Sequence, residues 1–154
     1  MNTRLAALSL LAVAAVISGC PQQIPEMPEI PIINPRLTDE EQILRVLDEV
    51  WRGMESQRIY QIMSNVSRSY KDRDGRDYDA LAAYLNKVFE EYRNIKIARV
   101  KPRILAQGNQ ARAVETFGTI AKPEPRSEYP PIDLHGQVTV YFAKVDRRWF
   151  TVQW

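Results

Sequence analysis

Residues 132–154 read IDLHGQVTVYFAKVDRRWFTVQW, and this stretch decides the fold class. From Ile132 to Lys144 apolar and polar side chains alternate, which is typical of a strand with one face in the core. Asp146-Arg147 predicts a turn, and Arg148 to Trp154 predicts a second strand that is rich in aromatic residues. We therefore expect two neighbouring antiparallel strands here.

Two more strands are predicted before this pair. The apolar period from Ile95 to Leu105 is close to 2, with a bulge expected near Ala98-Arg99, where the alternation slips. Gly108-Asn109 predicts a turn into a strand from Gln110 to Ala121. The proline-rich residues Lys122 to Pro131 predict a loop. The sequence therefore predicts four strands, each antiparallel to the next.

Three helices are predicted ahead of the strands. Thr38 and Glu41 have the spacing of a capping box, so the first helix is expected to start there and to run to about Glu55. A short second helix follows, and Asp77 is expected to cap the third. Apolar residues recur at helical spacing in all three: Ile43, Leu47, Val50, Trp51 and Met54; Ile59, Ile62, Met63 and Val66; Tyr78, Leu81, Ala82, Leu85, Val88, Phe89 and Tyr92. The order indicates an α+β domain, with three N-terminal helices packed in a curved four-stranded antiparallel sheet.

Residues 37–154 resemble the nuclear transport factor 2-like superfamily, the cone-shaped fold shared by ketosteroid isomerase and the polyketide cyclases. The resemblance rests on the order of the elements, on the helix spacing through Ile59-Tyr60-Gln61-Ile62-Met63, on long bent strands and on the aromatic last strand, Trp149-Phe150-Thr151-Val152-Gln153-Trp154. It implies a conical cavity between helices and sheet and frequent homodimers through the sheet. It implies no single function.

Strand alternation divides the side chains into an inner and an outer face. Leu134, Val138, Val140 and Phe142 are predicted to face the helices, with His135, Gln137, Thr139 and Tyr141 on the outer face. In the last strand, Phe150, Val152 and Trp154 are predicted to face inward, and Trp149, Thr151 and Gln153 outward.

These faces predict a pocket and a contact surface. The pocket, for a small apolar ligand, is predicted to be lined by Trp51, Tyr84, Phe89, Phe117, Phe142 and Trp154. The contact surface, for a second copy or an envelope protein, is predicted at His135, Tyr141 and Trp149. The alternative for that surface is a solvated sheet face with two partly buried aromatic side chains.

Glu115 is the best single candidate for a catalytic acid or base. Isomerase chemistry of the ketosteroid type needs such a group and an oxyanion donor inside the cone. The resemblance implies a tyrosine in the middle of the first helix, where this chain reads Leu47-Asp48-Glu49-Val50-Trp51. Without an identifiable oxyanion partner, we predict no catalysis. The alternative role for Glu115 is a position at the cone mouth or a pair with an arginine such as Arg99.

Composition and motifs exclude several other classes. Lys and Arg number 21 against 19 Asp and Glu, so the chain has no electrostatic reason to bind nucleic acid. One cysteine and one histidine exclude an internal disulfide and a zinc site built from Cys and His. Asp72-Arg73-Asp74-Gly75 fails as a calcium loop, since the first and twelfth positions would be Tyr70 and Leu81. We expect no metal and no cofactor.

The first twenty residues predict the localisation. Arg4 precedes an apolar stretch of roughly 13 residues, the length of a signal-peptide core rather than a spanning helix. The stretch ends in Ile17, Ser18, Gly19 and Cys20, which resemble the bacterial lipobox. The resemblance implies that residues 1–19 are removed and that Cys20 carries a diacylglycerol. The alternatives are an uncleaved anchor helix and a secretory signal that ends in cysteine by accident.

Residues 20–36 contain five prolines and predict an extended linker of up to ~50 Å. The alternative is that Ile30 to Ile33 docks on the domain or on a partner. The residue after Cys20 is not Asp, which favours the periplasmic face of the outer membrane over the inner membrane.

Taken together, the sequence predicts a non-enzymatic envelope lipoprotein, held on a lipid bilayer by acyl chains on Cys20. Its domain, residues 37–154, is expected to bind a partner protein or a small apolar ligand. One alternative is a small isomerase or hydrolase that uses Glu115. The other is a structural subunit of an envelope or secretion assembly.

Overall fold

The structure, a computed structural model, describes residues 36–154. The predicted signal peptide, Cys20 and nearly all of the linker lie outside the described residues. The helices are α1 (Asp39–Glu55), α2 (Ile59–Met63) and α3 (Tyr78–Glu91), and the strands are β1 (Tyr92–Arg99), β2 (Arg103–Gln107), β3 (Gln110–Pro123), β4 (Ile132–Val145) and β5 (Arg148–Gln153). No helix within residues 36–154 is both long and apolar enough to cross a membrane.

The helix starts follow from side-chain caps. The hydroxyl of Thr38 accepts the backbone N–H of Glu41 at 3.2 Å, and the Glu41 carboxylate accepts the backbone N–H of Thr38 at 2.8 Å. The Asp77 carboxylate accepts the backbone N–H of Ala80 at 2.9 Å and caps α3. The predicted capping box and the Asp77 cap are therefore confirmed. Tyr92, predicted on the third helix, instead opens β1.

The five strands form one antiparallel sheet in the order β1-β3-β4-β5, with β2 also paired to β3. The α+β class, with helices packed on a curved antiparallel sheet, is confirmed. The expected single strand over residues 95–105 is two strands along one side of β3, because Pro102 has no N–H to continue the ladder. The bulge expected near Ala98-Arg99 is misplaced, since the register shifts between Arg93 and Lys96.

An extra residue in β5 changes which side chains face the helices. Phe142 lies opposite Thr151, whereas Tyr141 lies opposite Gln153, so Val152 has no partner of its own. Before the bulge, Trp149 and Thr151 are buried against the helices. After the bulge, Trp154 packs against the core. The prediction of which side chains face the helices is therefore wrong for Trp149, Phe150 and Thr151. The extra residue of a bulge reverses the alternation of inner and outer side chains, so a single alternation cannot describe the whole strand.

Two hydrophobic clusters fill the space between helices and sheet. The first joins α1 to the sheet through Ile43, Val46, Leu47, Ala111, Ala113, Val140, Phe142 and Trp149. The second joins the three helices through Val50, Ile62, Met63, Val66, Tyr70, Leu81 and Leu85. Trp154 packs against both clusters, so the end of β5 connects them.

Main chain also covers the outer edge of β5. Thr151 donates its backbone N–H to the carbonyl of Asn65 at 2.9 Å and accepts from Ser67 at 2.8 Å. Lys71 donates to the carbonyl of Val152 at 3.1 Å. The strand β5 is therefore held between β4 and residues 65–71.

Candidate functional site

A cavity of about 220 Å³ lies between α1, α3 and the inner face of the sheet. Its wall is almost wholly apolar: Leu47, Val50, Trp51, Met54, Leu81, Tyr84, Leu85, Phe117, Val138, Val140 and Trp154. Arg76 and Thr151 complete the lining. Such a wall favours an apolar occupant, because it offers few hydrogen-bond partners to a polar one.

Arg76 and Tyr84 form the rim of the cavity, where Tyr84 is half exposed. The Arg76 guanidinium lies over the Tyr84 ring, 4.7 Å from its centre. Its Nε donates to the buried Asp72 carboxylate at 2.7 Å. Burial raises the pKa of Asp72, but the hydrogen bonds and charge of Arg76 outweigh burial and hold that pKa below its usual 3.8. The rim arginine is therefore paired and fixed in place.

Glu115 is fully buried, and both of its carboxylate oxygens are occupied. Trp51 Nε1 donates to Oε2 at 2.7 Å, and Arg99 Nη1 donates to Oε1 at 3.1 Å. Arg99 also binds Asp48 on α1 through its other nitrogen, Nη2. Burial raises the pKa of Glu115 above its usual range, although the Trp51 hydrogen bond and the Arg99 charge act in the opposite direction.

Trp51 separates this carboxylate from the cavity. Its ring belongs to the cavity wall and lies 5.9 Å from the ring of Phe117, while its indole N–H points to Glu115. Glu115, Arg99 and Asp48 are not part of the lining. The arrangement therefore orients Trp51 and leaves no free carboxylate oxygen facing the cavity.

Four of the six residues predicted to line the pocket, Trp51, Tyr84, Phe117 and Trp154, lie in the cavity wall. Phe142 lies instead in the first cluster, under α1, and Phe89 packs against the second cluster. Neither residue is part of the lining of this cavity, because each packs among the side chains of its own cluster.

Sequence reasoning missed Asp48 and Arg76 as parts of the site. Asp48 lies on α1, in the stretch where the resemblance implies a tyrosine, and it accepts a hydrogen bond from Arg99 of β1. Arg76 lies in an irregular loop without periodicity, so nothing in its pattern marks it as a rim residue. The pairing of Glu115 with Arg99, named as an alternative, is present.

The predicted contact surface loses one of its three residues. Trp149 is buried, and its indole N–H donates to Asp39 Oδ1 at 3.1 Å beside Lys144. His135 is exposed and Tyr141 is half-buried, on the same face of β4. A contact surface at His135 and Tyr141 stays a prediction. Across residues 36–154, no group of three or more His, Cys, Asp or Glu side chains is placed to hold a metal ion.

Solved structures show where this fold occurs. A protein from Novosphingobium aromaticivorans, provisionally assigned as a scytalone dehydratase, superposes with a TM-score of 0.64 and 16% identity, over 73% of this chain and 78% of that one. A protein from Streptomyces avermitilis, provisionally assigned as a dehydratase of the nuclear transport factor 2-like family, superposes with a TM-score of 0.64 and 11% identity. The match covers 75% of this chain and 92% of that one. A nuclear transport factor 2-like superfamily protein from Salmonella enterica superposes with a TM-score of 0.63 and 14% identity, over 74% of this chain and 86% of that one.

These identities show the fold alone, and the chain has the nuclear transport factor 2-like fold. No protein-family model matches the sequence, and no curated protein matches it.

Proposed function

We propose that this protein is a lipid-anchored component of the bacterial cell envelope that binds a small apolar molecule in its cavity and does not transform it. The observation that carries the binding role is the apolar cavity, from which Trp51 excludes the only fully buried carboxylate among the described residues. A catalyst of the isomerase type needs the reverse arrangement, with its base exposed to the ligand.

The volume limits the size of the ligand. A cavity of about 150 Å³ lined by apolar side chains binds benzene, and drug-sized ligands fill roughly 300–1,000 Å³. At about 220 Å³, this cavity fits an apolar molecule of about one or two rings, or a short branched chain. The rim pair of Arg76 and Tyr84 is the place where a polar end of that molecule would meet water.

The lipid anchor is proposed from the sequence. The order Ile17-Ser18-Gly19-Cys20 resembles a lipobox, and Cys20 is the only cysteine of the chain. Two or three acyl chains at one residue hold a protein stably on a bilayer, at about 0.8 kcal/mol for each buried CH₂. The missing aspartate after Cys20 favours the outer membrane, with the domain on its periplasmic face.

Ligand binding is tested with the unlipidated chain from residue 20 carrying Cys20→Ser. Toluene, indole and naphthalene are titrated, and binding is followed by the thermal midpoint. Tryptophan fluorescence is added for toluene, which does not emit in the tryptophan band, since Trp51 and Trp154 line the cavity. Val138→Phe fills the cavity and should abolish the response. Val114→Phe makes the same change on the opposite face of the sheet and should preserve it. No response to any probe, or full binding by Val138→Phe, would contradict the proposal.

The anchor is tested on the full precursor expressed in a bacterium. Mass spectrometry of the mature N-terminus should find acyl chains on residue 20, and the protein should fractionate with membranes. Cys20→Ser should remove both the acyl mass and the membrane association. A mature protein that begins elsewhere, or that carries no lipid, would refute the anchor.

A second candidate function, an isomerase or hydrolase acting through Glu115, is favoured by one observation. Glu115 combines complete burial with a raised pKa, which is common in catalytic acids. Turnover of a ketosteroid, lactone or epoxide that disappears in Glu115→Gln would support this function. Ligand binding without turnover would leave the binding role.

A further inference from the structure

A second concavity, which we call the basic groove, opens between the start of α1 and the β4–β5 hairpin. Its volume is about 750 Å³, and it shares no lining residue with the apolar cavity. It is lined by Arg36, Leu37, Asp39, Gln42, Arg45, Val46, Glu49, Asn65, Lys144, Arg147, Arg148 and Trp149. Five of these residues are basic and two are acidic.

Both acidic residues of the basic groove already have partners. Asp39 accepts from Lys144 and from the indole of Trp149. Glu49 binds Arg52 through Oε1 and Gln61 through Oε2. Both carboxylates of the groove are therefore engaged by other side chains, and the basic residues of the lining still outnumber the acidic ones.

Four arginines of the groove, Arg36, Arg45, Arg147 and Arg148, are exposed and form no ion pair with any residue from 36 to 154. Asp146 and Arg147 form the two-residue turn of the hairpin with φ of 48° and 65°, which sets Arg147 and Arg148 side by side at its tip. A guanidinium binds phosphate oxygens in a two-pronged manner, so this cluster suits phosphate groups.

We propose that the basic groove docks on the phosphate headgroups of anionic lipids in the bilayer that anchors Cys20. This inference rests on the anchor in the proposed function. Arg36 is both a residue of the groove and the point where the linker joins the domain, so the tether attaches at the groove itself. The roughly 16 residues between Cys20 and Arg36 reach at most ~50 Å as an extended proline-rich chain.

The charge of the groove is large enough to orient the domain. Each arginine near an anionic membrane surface strengthens binding about fivefold at low salt, and the effect falls within a Debye length of ~10 Å at 0.1 M salt. Once the acyl chains hold the protein on the bilayer, binding of the four arginines to the headgroups is an intramolecular event. Docking is then favoured even where the free domain binds weakly.

The test uses the unlipidated chain from residue 20 with Cys20→Ser, so that acyl chains make no contribution. Co-sedimentation is measured with vesicles of phosphatidylglycerol and phosphatidylcholine in equal parts, and with phosphatidylcholine alone. We expect binding only to the anionic vesicles, weakening with added salt. The pair Arg147→Glu and Arg148→Glu should reduce it at least tenfold, and so should the pair Arg36→Glu and Arg45→Glu, which leaves the hairpin unchanged.

The matched control is the pair Arg73→Glu and Arg126→Glu, which changes the net charge equally at exposed arginines outside the basic groove. It should bind within about twofold of the unchanged chain. Equal binding to both kinds of vesicle, or an equal loss in the control pair, would overturn the proposal. Inorganic phosphate at millimolar concentration should not displace the chain, and complete displacement would assign the groove to a free phosphate instead.

The outcome is separable from that of the anchor experiment. Acylated Cys20 without any vesicle binding by the unlipidated chain would remove the groove proposal and keep the anchor. Vesicle binding with an unmodified residue 20 in the host would remove the anchor and keep a membrane-binding surface.

Discussion

The indole N–H of Trp51 and the carboxylate of Glu115 meet at 2.7 Å behind the wall of the apolar cavity. This bond joins α1 to β3 and fixes the ring that closes the cavity on that side. The carboxylate is in turn held by Arg99 at 3.1 Å, so the shape of an apolar site depends on a charged pair that the ligand never touches. A satisfied polar network of this kind makes a wall rigid.

Removal of Arg99 should destabilise the fold much more than removal of Asp48. Arg99→Ala leaves the buried Glu115 carboxylate without a cation, which costs about 3 kcal/mol or more in the free energy of unfolding. Asp48 is partly exposed, so Asp48→Ala should cost about 1 kcal/mol or less. Urea denaturation of both variants measures the difference. Similar losses for the two would mean that the Arg99–Glu115 pair does not hold the wall.

Stability should depend on pH through Glu115. Burial raises the pKa of Glu115 in the folded state, where Arg99, Asp48 and Trp51 face it, so the folded chain keeps a proton that the unfolded chain has released. The contribution of Glu115 to stability therefore falls as the pH rises above about 4.5. Asp72 acts in the opposite direction, because its lowered pKa favours the folded state above about 3.8.

The variant Glu115→Gln isolates the pH-dependent contribution of Glu115 to stability, because the glutamine amide does not ionise. We expect the unfolding free energy of the unchanged chain minus that of the variant to decrease as the pH rises above about 4.5. Chemical denaturation from pH 4 to pH 8 measures this difference. A constant difference across that range would refute a raised pKa.

Gly53→Ala should destabilise the fold although alanine favours helices. A Cβ at Gly53 would lie 2.6 Å from the side chain of Ile62 and 3.2 Å from its backbone nitrogen, so α1 and α2 would have to separate. We expect a loss of about 1–3 kcal/mol in thermal or urea unfolding. Gly118→Ala is the control. Its Cβ would meet only the exposed side chain of His135, which is free to move, so its effect should stay within about 0.5 kcal/mol.

Trp149 should act as a core residue and Tyr141 as a surface residue. Trp149 is buried in the first cluster and donates to Asp39, so Trp149→Ala should cost about 3–5 kcal/mol. Tyr141→Ala, on the outer face of β4, should cost about 1 kcal/mol or less. Thermal unfolding compares the two. A Trp149→Ala variant as stable as Tyr141→Ala would restore Trp149 as a surface contact.

The sequence predicts the α+β class because its signals are local. The capping box at Thr38 and Glu41, and the paired left-handed residues Asp146 and Arg147, depend on neighbours within a few positions. The break of the predicted first strand also has a local signal, since Pro102 lies within that strand and a proline has no N–H for the ladder.

The sequence does not predict which side chains of β5 face the helices. The bulge at Val152 arises where β5 pairs with Tyr141 and Phe142 on one side and with residues 65–71 on the other. Neither pairing can be predicted from the order of apolar and polar residues. The same holds for Arg76, whose place at the rim depends on Asp72 and on the ring of Tyr84.

Because residues 65–71 close the far side of β5, the borders left open within the described part of the chain are β1 and β2 on one side and residues 132–140 of β4, beyond the end of β5, on the other. Unpaired backbone groups at a sheet border template the addition of foreign strands. On β1, Glu55 already accepts the N–H of Ile97, so one backbone group of that strand is not available. Strands added to this domain should therefore attach at these open borders and not at β5, and a proline placed in β2 should suppress attachment along β2.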